Sequence, residues 1–156
     1  MRDDVVENRS VSAAAAREIY GVVLDSDSQL DREGTQRLRS QYRQRRRGDK
    51  SVRRLSGEVI SEVTENLTLR READGKRLCC AKCAADLGPI ADNYKAHCVA
   101  HAANIETANP NIGDHRRYID DVPVFRQFFC PGCGALIENE ITRADEPVLR
   151  DIELRA

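Results

Sequence analysis

Four cysteines in two Cys-x-x-Cys pairs, Cys80-Ala81-Lys82-Cys83 and Cys130-Pro131-Gly132-Cys133, have the type and spacing in this chain that point most directly to chemistry. Two residues between cysteines let both thiolates take adjacent corners of a tetrahedron, at metal–sulfur distances of about 2.3 Å. In the second pair Pro131 removes an amide donor. Gly134, just beyond it, permits a positive φ, so the chain can turn tightly around an ion. Four thiolates close a tetrahedral shell, whereas catalytic zinc keeps three protein ligands and an open fourth position. The expectation is therefore one structural zinc on Cys80, Cys83, Cys130 and Cys133. The 46 residues between Cys83 and Cys130 exceed the commoner separation of about 15–20. Two other readings compete. A redox dithiol at Cys-Pro-Gly-Cys lacks the βαβ setting of such motifs and gives the other pair no role. Buried inert thiols are the second.

Other reactive side chains are sparser. A short helix over Asn93 to His101 would bring His97 and His101, four residues apart, onto one face beside Cys98. A metal site there would still need His115 or a carboxylate to complete it, and metal-free residues are the favoured reading. Cys79 should point away from Cys80 on a strand and reads as a buried or solvent-facing thiol. Asn109 to Asp114 reads as a loop within reach of a partner, although nothing local shows a contact. No Ser-His-Asp arrangement, paired acid–base carboxylates or phosphate-cradling Gly loop is evident, so catalysis by this chain alone is not expected.

The elements that must position the cysteines come from the second half. From Gly57 to Arg71 a period of two places Val59, Val63, Leu67 and Leu69 on one parity, with Ile60 the exception and a bend at Glu65-Asn66. Ala73-Asp74-Gly75-Lys76 is a hairpin signal. Residues 124–129 and 137–141 alternate on either side of the Cys-Pro-Gly-Cys turn, a strand–knuckle–strand pattern. The first half reads differently. Ser12 can cap a helix through the alanines that ends at Gly21. Val22-Val23-Leu24 is extended, and Asp25 to Ser28 is a turn. A second helix runs from about Asp31 to Arg47 with a thin apolar stripe of Leu30, Leu38 and Tyr42, which needs a partner surface to hold it. The expected organisation is a helical docking segment over 1–48, a linker over 49–56, a zinc-ribbon-like antiparallel β domain over 57–145 with an insertion at 84–124, and a tail over 146–156. The class is α+β.

Charge divides the chain the same way. Residues 1–56 carry 13 basic and 9 acidic groups, and residues 57–156 carry 12 and 17, so a net charge of -1 hides +4 against -5. Nine basic residues fall between Arg37 and Arg54, which admits a nucleic-acid-binding zinc ribbon with a basic arm as a competing function. The scarcity of aromatic stacking platforms weighs against it. No run of about 18 apolar residues exists, and Met1-Arg2-Asp3-Asp4 opens no signal peptide. The expected location is the cytoplasm, where paired cysteines are metal ligands or redox groups more often than disulfides.

Two resemblances add to this. Val11 to Asp25, with its Ala-Arg-Glu-x-Tyr-Gly-Val-Val-Leu-Asp run, and Asp31 to Arg39 resemble the C-terminal tail of hydantoinase B-type proteins, over roughly residues 1–47. That family includes the large subunits of ATP-dependent ketone carboxylases, and the resemblance implies a segment that packs onto a large partner. Leu78 to Gly88, Asp92 to Lys95 and Phe125 to Ile141, with both cysteine pairs in order, resemble the gamma-type small subunit of acetone and acetophenone carboxylases over roughly residues 77–142. This implies a non-catalytic zinc-holding subunit of a hetero-oligomer. Large hydantoinase A- and B-like subunits would bind ATP and bicarbonate and convert a ketone to a β-keto acid.

Overall fold

The computed structural model describes residues 10–48, 51–108 and 113–154. The first nine residues of the expected docking segment, Asp49 and Lys50 of the expected linker, and residues 109–112 of the expected loop lie outside the described residues. The chain forms two compact units, Met1–Arg45 and Arg46–Ala156.

In the first unit, helix α1 (Ala13–Glu18) begins where Ser12 accepts the Ala15 amide through its hydroxyl, at 3.0 Å. It closes through Gly21, whose φ of 60° returns the Val22 amide to the Ala16 carbonyl. Leu24 and Leu30 form an antiparallel bridge across the expected turn. Its head is tied by Asp25 Oδ1, which accepts the amides of Asp27 and Gln29. Helix α2 (Arg32–Arg47) is capped by Asp31, which accepts the Gly34 amide at 2.8 Å. Its inward stripe differs from the expected one. Leu30 lies outside the helix and is 43% exposed, while Thr35 is buried and accepts the Val23 amide through Oγ1 at 3.0 Å. Leu38 and Tyr42 continue the stripe, half-buried, and the Tyr42 hydroxyl donates to the Arg17 carbonyl.

The second unit holds two antiparallel sheets. Strands β1 (Glu58–Thr64), β2 (Leu67–Glu72), β3 (Gly75–Cys80) and β4 (Asp86–Pro89) form the first, in sequence order. Strands β5 (Val99–Asn104), β6 (Pro123–Phe129) and β7 (Leu136–Arg143) form the second. The segment between the cysteine pairs thus supplies β4 to the first sheet and both β5 and β6 to the second. Ile60, the residue that breaks the period of two, sits in a register shift between Val59 and Ser61. One extra residue at a bulge resets which parity faces inward. The shift also changes the outcome for Val59, which is 50% exposed on the outer strand instead of joining the core.

The core gathers Leu67, Leu69, Leu78, Leu87, Tyr94 and Ile137 around Cys80 and Cys130. The expected helix over residues 93–101 is a single 3-10 turn, Tyr94–His97, followed directly by β5. Asn93 caps the turn at the Lys95 amide, and pairing with β6 then overrides the helical preference of the alanines. Residues 146–154 have no regular structure but are not loose. Asp151 accepts from the Tyr94 hydroxyl and pairs with Lys95 at 3.1 Å, and Ile152 and Leu154 pack on the core. The architecture is α+β, with a small antiparallel β domain of zinc-ribbon type. Among the described residues no helix is long and apolar enough to cross a membrane.

Candidate metal centre

The two Cys-x-x-Cys turns are built alike. Cys80 donates its amide to the Ala85 carbonyl and accepts the Ala84 amide on its own, at 3.0 and 2.8 Å. Cys130 does the same with Ala135 and Gly134, both at 2.8 Å. The residue after each second cysteine is left-handed, Ala84 at φ 56° and Gly134 at φ 68°. In both turns the first cysteine lies at a strand end, Cys80 closing β3 and Cys130 following β6, so each sheet delivers one pair.

The pairs meet face to face. The sulfurs of Cys80 and Cys133 are 3.8 Å apart and those of Cys83 and Cys130 are 3.6 Å apart. All four lie within 4.8 Å of one another. Bonds of about 2.3 Å from a tetrahedral cation to sulfur require sulfur–sulfur edges of about 3.8 Å, so the donor set fits such an ion. Gly132 makes the approach possible. A Cβ there would lie 2.8 Å from the Ala85 Cβ and 3.1 Å from the Cys83 sulfur. Any larger residue would push one turn off the other.

Electrostatics point the same way. Hydrogen bonding from Cys130, aided by the amides of Lys82 and Cys83, pulls Cys80 down to about 5 against the opposing effect of burial. Cys130 is pushed up because it donates to Cys80 and because it is buried. Burial pushes Cys83 up to about 11. Four thiolates at these separations are compatible only with a cation among them.

The remaining expected residues are placed elsewhere. Cys79 is buried on the opposite side of β3 from Cys80, and burial raises its pKa. Cys98 sits with its sulfur 3.5 Å from the Tyr94 carbonyl, and burial pushes it up to about 12. His97 and His101 share no helical face. His97 lies beside Asp92 at 3.2 Å, while His101 stands on β5 with its ring edge-on to Phe129, 5.3 Å between centroids. His115 pairs instead with Glu106 at 2.9 Å, near Asp114, whose carboxylate is held by Arg116 at 2.8 Å.

Sequence reasoning missed a buried charge network beside this core. The Lys95 side chain, 1% exposed, lies 2.9 Å from Glu140, which also receives Arg126 at 3.2 Å. No sequence pattern marks it, because its members come from a 3-10 turn, two strands and the C-terminal segment.

No curated protein matches the chain. The family model of the acetone carboxylase gamma subunit matches residues 54–155, which contain both sheets, all four clustered cysteines and the C-terminal segment bound to Tyr94 and Lys95. That match covers well over half of the 156 residues, and the chain belongs to the acetone carboxylase gamma subunit family.

Proposed function

We propose that this chain is a non-catalytic, zinc-containing structural subunit of a multi-subunit, ATP-dependent ketone carboxylase of the acetone or acetophenone type, which joins a ketone and bicarbonate into a β-keto acid. The observation that carries the reading is the coincidence of the gamma-subunit match with a four-sulfur cluster of tetrahedral dimensions. Cys80, Cys83, Cys130 and Cys133 hold the zinc. Its work is mechanical, because four thiolates leave no position for substrate or water. The ion staples the end of β3 to the β6–β7 turn and so fixes one sheet against the other.

ATP, bicarbonate and ketone belong to large hydantoinase A- and B-like subunits. Residues 1–48 dock on them, as the resemblance to a hydantoinase B tail and the exposed Ile19, Tyr20 and Leu30 support. The complex works in the cytoplasm, where the thiols stay reduced and available to zinc. Co-expression of the full chain with the large subunits from the same host tests this. The expected result is a complex that carries one zinc per copy of this chain and carboxylates a ketone only when ATP is present. Deletion of residues 1–48 should abolish co-purification. Metal-free protein that assembles normally would overturn the reading. So would salt-sensitive binding of nucleic acid in place of the large subunits.

A further inference from the structure

The two sheets present four outer edges, and three of them are protected. Strand β1 carries Glu58 and Glu62 and is interrupted by two register shifts. Strand β4 is four residues long and ends in Pro89. Its start is paired by residues 53–55, through Leu55 to the Ala84 carbonyl and Asp86 to the Arg53 carbonyl. Strand β7 carries Glu138, Glu140 and Arg143 and has a register shift opposite Phe128 and Phe129. Charges, prolines and bulges are the devices by which folded proteins keep strand edges from pairing with other chains.

Strand β5 has none of them. Its sequence is Val-Ala-His-Ala-Ala-Asn, with no proline and no acidic, Lys or Arg residue. Its six residues pair with β6 in unbroken register, from Val99 opposite Phe129 to Asn104 opposite Val124. Every residue from Ala100 to Asn104 is exposed, so the strand is open on both faces as well as along its edge. Among the described residues, no backbone hydrogen bond reaches the far side of this strand. At the Asn104 end of the sheet, the segment entering β6 exposes Tyr118 (81%), Ile119 (45%) and Val122 (58%). Val122 prolongs the ladder there by accepting the Ala144 amide.

We propose that the free edge of β5 is a strand-addition site for an extended, apolar segment of the large partner subunit. The inference rests on the carboxylase-subunit reading and names the surface by which the β domain is held. Main-chain hydrogen bonds along β5 supply the attachment. The methyl-only side chains of Ala100, Ala102 and Ala103 leave room for larger side chains of the incoming strand. A second copy of this chain is the poorer occupant. Two β5 strands side by side would set alanine against alanine and bury little apolar surface, and strand pairing without side-chain burial is marginal.

Hydrogen exchange on the full chain, free and co-purified with the large subunits, tests the proposal. It is paired with Ala102→Lys and Ala103→Lys, which place a charge on opposite faces of the strand. The expected result is slowing of the outward β5 amides by about tenfold or more in the complex. Each lysine variant should keep its metal and its β6–β7 protection yet bind the large subunits about tenfold more weakly. Glu62→Lys on the bulged β1 edge should bind as the parent does. A complex whose β5 amides exchange as fast as in the free chain, or which the lysine variants form unchanged, overturns this inference and leaves the carboxylase reading standing. A homodimer with β5 protected also overturns it, in favour of the second copy. Absence of any complex removes both.

Discussion

Ala84 and Gly134 occupy the same position in the two cysteine turns, one residue past Cys83 and Cys133, with φ of 56° and 68°. Both offer their amide to the carbonyl of the first cysteine, at 2.8 Å. A left-handed residue with a Cβ costs about 1–2 kcal/mol, so the first turn holds strain that the second avoids. The substitutions should therefore act in opposite directions. Gly134→Ala should destabilise the metal-bound protein by about 1–2 kcal/mol. Ala84→Gly should leave it unchanged or stabilise it by up to about 1 kcal/mol, since relief of strain is partly offset by a freer unfolded chain. Denaturant midpoints measured in excess zinc check the pair.

Gly132 makes a different demand. Its φ is ordinary, but the space its Cβ would occupy is held by Ala85 and the Cys83 sulfur. Gly132→Ala should force the turns apart and weaken metal binding with little effect on the strands. Competition with a chromophoric chelator should show zinc lost at lower chelator concentration than in the parent. The equivalent position in the other turn is Lys82, which is exposed, so Lys82→Ala should behave as the parent.

Much of the architecture was legible because it is local. Ser12 before a run of alanines, Asp31 before α2, and alternation on both sides of Cys-Pro-Gly-Cys each report a short-range preference that the tertiary structure leaves in place. Even the parity error at Ile60 was visible, and a bulge accounts for it. Residues 97–101 misled because alanine favours a helix, and pairing with β6 outweighs that preference. Lys95 was illegible for another reason. A lysine is exposed by default, and only the convergence of Glu140 and Asp151 from distant segments makes its burial tolerable. The same contacts hold the C-terminal segment against the core, where Ile152 and Leu154 pack.

That network predicts a large local cost. Removing one partner of a buried pair leaves an uncompensated charge, worth about 3–5 kcal/mol. Lys95→Met should approach that range. The double variant Lys95→Met with Glu140→Leu should cost less than the sum of the single changes, a coupling that a double-mutant cycle on denaturant midpoints measures.

The same lysine gives stability an alkaline limit. Burial alone would lower its pKa, but Glu140 and Asp151 more than offset that and raise it above its ordinary value. A group with a raised folded pKa contributes fully below its unfolded pKa, about 10.4 for lysine, and loses that contribution as pH rises through the folded value. Burial raises Tyr94 as well, which acts in the same direction over the same range. Parent stability should therefore fall above about pH 10. The fall should be shallower in Lys95→Met, and shallower again when Tyr94→Phe is added, as unfolding series from pH 8 upward will record.

Removal of metal should divide the molecule. The four sulfurs join the end of β3 to the turn between β6 and β7, and the core around them includes Cys80 and Cys130 themselves. Structural zinc in small domains contributes about 10–16 kcal/mol of apparent binding energy, more than a small sheet pair with three phenylalanines and no tryptophan has to spare. A strong chelator should strip amide protection from β2, β3, β6 and β7. Helices α1 and α2, which contribute no ligand, should exchange as before. Acidification should mimic the chelator, because thiolates must be protonated to release the ion. Serine at both Cys130 and Cys133 should reproduce the chelated pattern at neutral pH. Unchanged protection in the strands after verified loss of metal would show that the sheets hold themselves together, and would leave the sulfur cluster without its structural role.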